Sequence, residues 1–213
     1  MRKRWFGLVI AGLAVGLSLW AYPRLPERVV THWNVHGQPD GWSARLVAVA
    51  IGPLILVALT GLFALLPRID PRRANYEKFL ETYWLIANGV LTFMAGVHAL
   101  TIANGLGMAV PIERVVPLAI GVLLVFLGNY LARVEPNWFV GIRTPWTLSS
   151  DAVWRQTHRT GGPVFVVAGL VVAAATLAPR AAAWPIMIAA IAGASLIPVV
   201  QSYLLWRREQ PGK

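Results

Sequence analysis

Residues 129–162, NYLARVEPNWFVGIRTPWTLSSDAVWRQTHRTGG, gather most of the side chains in this chain that could do chemistry. Arg143 lies between Gly141-Ile142 and the stiff pair Thr144-Pro145, so its guanidinium is positioned by a turn and not merely solvated. Its planar fork suits a carboxylate or a phosphate. His158 could complete such a site as a donor or a base. Thr144, Ser149, Asp151 and His158 supply the residue types of a hydrolase, but no nucleophile spacing and no GxSxG motif accompanies them. The chain contains no Cys, so disulfides, thiolate metal sites and cysteine nucleophiles are excluded.

A second group of such residues lies in 23–45, PRLPERVVTHWNVHGQPDGWSAR. His32, His36 and Asp40 are spaced four apart, which would put them on one face of a helix, where imidazole and carboxylate suit zinc. Gly37 and Pro39 interrupt such a helix, which leaves His32 and Asp40 as the divalent-metal candidates, brought together through a turn. In the competing reading His32 and Asn34 bond loop backbone and Asp40 caps its turn. Gln38-Pro39-Asp40-Gly41 is the expected turn. No organic cofactor is implied anywhere in the chain.

The elements that must position these residues are membrane helices. The chain is 57% hydrophobic and only 13% charged over 213 residues, with a mean hydropathy of +0.60. Ordinary soluble domains carry about 25% charged residues. Apolar runs approach or exceed the roughly 18 residues that suggest a spanning helix, and six spans are expected near 5–22, 46–66, 83–104, 115–132, 163–178 and 184–205. The fifth is short, bounded by Pro163 and Arg180, and would need Ala181 to Ala183 or a thin local bilayer. The basic start reads as an uncleaved first helix, because Arg24-Leu25-Pro26-Glu27 offers no small-x-small cleavage site.

Charge sets the orientation. With both termini inside, Arg24, Arg28, Arg45, Arg114 and Arg180 lie outside, and the rest of the 19 Lys and Arg lie in the cytoplasmic pieces 1–4, 67–82, 133–162 and 206–213. That asymmetry predicts an N-in, C-in protein. It also accounts for the net charge of +10 without direct nucleic-acid binding. The expected fold is therefore an all-α integral membrane protein. A short outer Trp-rich cap follows the first helix, with Trp33 and Trp42 at headgroup level, and a structured cytoplasmic loop joins helices four and five. Residues 1–114 read as an N-terminal membrane domain and 115–213 as a C-terminal one.

The spans carry no Asp, Glu, Lys or Arg. His98 is their one ionisable residue, either a neutral partner of a neighbouring helix or a proton relay. Asn88, Asn129 and Gln201 read as interhelical hydrogen-bond partners, and Gly12 and Gly16 fit a GxxxG packing face. In the cytoplasmic loop Ser149 or Ser150 should cap a short helix over about 151–159, with Asp151 in its first turn and Gly161-Gly162 ending it. Trp154 and His158 share a face of that helix, as do Arg155 and Arg159. Trp154 could anchor it at the interface, with the Arg pair meeting lipid phosphates.

Several stretches resemble the SdpI family of membrane immunity proteins, which act against a sporulation-delaying toxin. They are Asn129-Tyr130, Pro136-Asn137, Gly141-Ile142-Arg143-Thr144-Pro145-Trp146-Thr147-Leu148, Trp154, and Thr157-His158-Arg159 with Gly161-Gly162. Leu25-Pro26, Thr31-His32-Trp33-Asn34, Gly37, Asp40-Gly41 and Trp42 resemble the uncharacterised N-terminal domain often fused to it. The resemblance implies a multi-spanning bacterial cell-membrane protein that gives resistance to a secreted, membrane-active peptide toxin. It also implies signal transduction: on meeting toxin, the protein holds a cytoplasmic transcriptional repressor at the membrane. The competing readings are an enzyme acting on a lipid or phosphorylated substrate through Arg143 and His158, a small transporter using His98, and a packing module for other membrane proteins.

Overall fold

The computed structural model describes residues 2–34 and 36–210, apart from the side chains of residues 2–4 and Arg180. The side chains of Arg2, Lys3, Arg4 and Arg180 and the whole of Lys213, all in the charge asymmetry, thus lie outside what is described. The order is α1 (Arg2–Ala21), β1 (Arg28–Trp33), β2 (Pro39–Ala44), α2 (Arg45–Ile69), α3 (Tyr76–Gly105), α4 (Ile112–Leu131), α5 (Pro145–Ser149), α6 (Asp151–Ala175) and α7 (Arg180–Arg208). Among the described residues six helices, all but α5, are long and apolar enough to cross a membrane. The chain is a multi-pass membrane protein.

It forms two compact units, residues 1–64 with 87–119, and residues 65–86 with 120–213. In the first unit Ala21, Leu25, Val29, Ala48, Val49 and Ile102 make one apolar cluster, and Ala11, Ala14, Leu56 and Leu91 another. The polar contact between them follows from a proline. Pro53 has no N–H, so the carbonyl of Val49 has no donor in its own helix. Ser18 of α1 supplies one, donating from Oγ to Val49 O at 2.7 Å. That hydroxyl then accepts from His98 Nε2 at 3.0 Å. Gly52 makes room, since a Cβ there would collide with the His98 ring. His98 is thus the interhelical partner of the first reading.

The cap is a two-stranded antiparallel hairpin. Val30 pairs with Trp42, His32 with Gly41 and Trp33 with Pro39, with irregularities on either side of His32. Its turn is not at 38–41, as the Pro-Asp-Gly string suggested. Asn34 closes it earlier: its Oδ1 accepts the N–H groups of His36 at 2.9 Å and Gln38 at 3.0 Å. Gly37 takes the positive φ of 73°. Gly41 sits in the strand instead, where a Cβ would lie 2.8 Å from the His32 Cβ.

In the second unit α4 and α6 pack backbone against backbone. A Cβ on Gly128 would lie 2.6 Å from Gly162 O, one on Gly162 would lie 2.8 Å from Gly128 O, and Gly121 faces Gly169 in the same way. The pairs are one heptad apart on each helix and run in opposite directions, the register of an antiparallel seam. This corrects the reading of Gly161-Gly162 as a helix end. Neither has a positive φ, and α6 runs through both and through Pro163. The span expected to be short is therefore a full 25-residue helix. Asn129 bonds within its own helix, to Val125 O at 2.8 Å, whereas Gln201 does bridge helices, accepting from Thr160 Oγ1 at 2.8 Å. A Cβ added at Gly12 or Gly16 would meet nothing within 4 Å, so the described chain does not use that GxxxG face.

Candidate functional site

The site is the loop between α4 and α6, with α5 inside it. Three buried fastenings, made by four side chains, shape its path. Asn137, fully buried, accepts at Oδ1 from the N–H groups of Phe139 (2.8 Å) and Val140 (2.7 Å). Its Nδ2 donates to the carbonyls of Glu135 and Val140, each at 2.9 Å. An Asn does this because one amide carries both donors and acceptors.

Asp70, just beyond α2, is 2% exposed. Its Oδ1 accepts from Arg72 N at 2.7 Å, and its Oδ2 from Trp138 N at 2.9 Å and Tyr76 Oη at 3.1 Å. A buried carboxylate needs such donors to offset its lost hydration. Asn75 adds a bond from Nδ2 to Pro136 O at 2.8 Å. Arg72 reaches Asp151 Oδ1 at 2.6 Å and Leu148 O at 3.0 Å, so Asp151 has an ion partner besides the helix dipole.

His158 and Trp154 form the third fastening. Both are fully buried, and their rings stack with centroids 4.1 Å apart. Trp154 Nε1 donates to Val134 O at 2.8 Å, so this Trp is a core residue and not the interface anchor expected. His158 Nε2 accepts the N–H of Ile142 at 2.9 Å, and its Nδ1 bonds Trp154 O, also at 2.9 Å. An N–H can only donate, and so can its partner at a carbonyl, so the ring is neutral with its proton on Nδ1. The backbone reaches this ring only because residue 141 is glycine. Gly141 has φ of 114°, and a Cβ there would collide with His158 Nε2.

Thr144 caps α5 in a capping box. Its Oγ1 accepts Thr147 N at 3.1 Å, and Thr147 Oγ1 accepts Thr144 N at 2.9 Å. Pro145 follows at the first helical position, where its missing N–H costs nothing. Ser202 of α7 donates to Val199 O at 2.7 Å, so at 3.0 Å it accepts from Thr144 Oγ1. Trp146 packs on Tyr203 of α7 with centroids 5.1 Å apart. The 141–148 string is therefore tied to α6 through His158 and to α7 through Ser202 and Tyr203.

The structure does not assemble the hydrolase types. Thr144 belongs to the cap, Ser149 Oγ donates to Trp146 O, and both ring nitrogens of His158 serve the backbone. Arg143 is exposed and donates to Trp138 O at 3.1 Å, beside the 47%-exposed Trp138. Arg155 and Arg159 are also exposed, Thr157 is fully buried, and Asn129 and Tyr130 lie at the end of α4. No motif or spacing in the sequence marks Asp70, Arg72, Asn75, Tyr76 or Ser202 as part of this site. The one signal for Asp70 was a lone carboxylate in a cation-rich turn.

In the hairpin, His32 Nδ1 and Asp40 Oδ1 lie 2.5 Å apart and bond each other. Among the described residues no group of three His, Cys, Asp or Glu could hold a metal. Trp33 is partly buried, Trp42 exposed, and Asn34, Gly37 and Gly41 build the turn and strand described above.

The model of the SdpI/YfhL protein family matches residues 133–202, and that of a domain of unknown function, DUF1648, matches residues 9–57. The chain is 26% identical over 208 residues to the immunity protein SdpI of Bacillus subtilis (strain 168), covering 98% of each chain. No solved structure matches. The segment that matches the family model includes His158 and Ser202, which tie the 141–148 string to α6 and α7, and over it this multi-pass membrane protein is similar to the SdpI/YfhL family.

Proposed function

We propose that this chain is an immunity protein that protects its own membrane from a secreted, membrane-active peptide. The observation that carries this is the end-to-end similarity to a protein named for immunity, at 98% coverage of both chains. The geometry agrees in kind. Its polar side chains are spent holding a loop in shape, and its exposed features are an aromatic hairpin and a cation-bearing loop. These suit binding better than bond-making.

The two features divide the work. The hairpin, with Trp33 and Trp42, meets the peptide at the outer surface, where Trp favours the interface. The charge asymmetry puts 133–162 in the cytoplasm, where Trp138, Arg143, Arg155 and Arg159 offer a docking face to a transcriptional repressor. Labelled sporulation-delaying toxin peptide, titrated onto cells making the full chain, tests the division. Peptide binding should fall on replacing Trp33 and Trp42 with Ala, while repressor recruitment should fall on replacing Arg143. Unchanged peptide binding in the Trp variant would remove the hairpin from the account.

A further inference from the structure

We propose that Arg24, Arg28 and Arg45 form a phosphate-binding collar at the base of the hairpin, and that its ligand is the headgroup of an anionic phospholipid. Arg24 ends the first spanning segment and Arg45 begins the second, while Arg28 opens β1 between them. All three therefore stand where the chain leaves the hydrocarbon and where it returns. The phosphates of a bilayer lie at that level.

Two of the guanidiniums are fixed in place. That of Arg24 lies over the Trp20 ring, 4.7 Å from its centroid, and its Nη1 donates to Trp20 O. That of Arg45 lies over the Tyr22 ring at 5.3 Å, with Nη1 directed at Tyr22 O at 3.4 Å. A stacked guanidinium with one N–H engaged still offers the rest of its fork to a phosphate. Because the fork is already ordered, binding costs it less. Trp20 and Tyr22 are themselves exposed and are of the types that settle at the membrane interface, so they set the depth of the cations. The base beneath is packed. Leu25 and Val29 are buried with Ala48 and Ile102, Arg28 pairs with Ala44, and Arg45 N donates to Glu27 O at 2.9 Å.

The protein itself does not answer this charge. Among the described residues no carboxylate forms an ion pair with Arg24, Arg28 or Arg45. Glu27 is exposed and pairs with none of them. A zwitterionic headgroup would bring a further cation to the collar, whereas an anionic one neutralises it. Each Arg at an anionic surface favours association about fivefold. The collar thus ties the hairpin to the headgroups and gathers anionic lipid around its base.

The test uses the full chain in phosphatidylcholine vesicles. Because the chain lacks Cys, Ala44→Cys places one fluorophore on an exposed position at the hairpin base. Phosphatidylglycerol or phosphatidylcholine, with a doxyl group near the headgroup end of its acyl chain, is titrated in as quencher. Half-maximal quenching should need about fivefold less phosphatidylglycerol than phosphatidylcholine, or better. Replacing Arg24, Arg28 and Arg45 together with Gln should remove that preference, while Arg114→Gln, another exposed cation of the same unit, should keep it. Lys at the three positions keeps the charge but not the stacked fork, and should lower the preference about twofold or more. Inorganic phosphate at matched ionic strength should change nothing. Equal quenching by the two lipids, or a preference that survives in the Gln variant, would overturn the collar. So would a Lys variant that matches the parent or a loss in Arg114→Gln, because unplaced charge would then suffice. Displacement of phosphatidylglycerol by inorganic phosphate would overturn the lipid as the ligand.

Discussion

Gly141 and His158 compete for one volume, and only the smallest residue lets the backbone N–H of Ile142 reach the ring. A Gly141→Ala chain combines a positive φ with a collision. It should lose about 2 kcal/mol or more, read as a lower unfolding midpoint in detergent. Asp70→Ala strands three donors, two of them backbone N–H groups, and should cost about 2–4 kcal/mol, whereas Arg143→Ala, on the surface, should leave stability within about 0.5 kcal/mol. An Arg143→Ala chain as unstable as Asp70→Ala would contradict this placement. At this scale the sequence marked Arg143, Thr144, Trp154 and His158 as special but suggested the wrong uses for two of them. Spacing put Trp154 and His158 on one face and could not say that the face is buried. Asp70 went unnoticed because its partners Tyr76 and Trp138 are 6 and 68 residues away.

Helices hold these side chains in place through close backbone contacts and repaired carbonyls. Replacing Gly128 or Gly162 with Leu should separate α4 from α6 and prevent folding, while Leu at Gly12 or Gly16 should be tolerated in the isolated chain. Trypsin resistance of the membrane-inserted protein distinguishes them. Ser18→Ala leaves the Val49 carbonyl without a donor and should cost about 1–2 kcal/mol. Adding Pro53→Ala restores a helical N–H to that carbonyl, so the double variant should be more stable than Ser18→Ala alone. Additive losses in the two would show that the proline does not create the need for Ser18. Hydropathy made the six spans legible, and of the two cap candidates Ser149 and Ser150 it is Ser150 that starts α6. The length of α6 was not legible, because Gly161-Gly162-Pro163 is written like a helix stop and only the facing glycines of α4 show its use. The hairpin was readable in part: Val29, Val30 and Thr31 favour a strand, but the Pro-Asp-Gly string outweighed Asn34 and Gly37 as the apparent turn.

For the whole molecule, the account joins an aromatic hairpin, a spanning bundle and a loop strapped across α6 and α7 into one protective device. The membrane class followed from composition. Function was legible only through the resemblance of motifs, because immunity requires no arrangement of side chains that chemistry alone would recognise. The central claim is protection, and membrane depolarisation measures it directly. Toxin-sensitive bacteria carrying the parent chain, Trp33→Ala, Arg143→Ala or no chain would be exposed to the sporulation-delaying toxin peptide at matched expression. The account predicts that the parent chain preserves the membrane potential, that Trp33→Ala preserves it poorly, and that Arg143→Ala protects like the parent. Depolarisation of cells carrying the parent chain as fast as of cells without it would contradict the account.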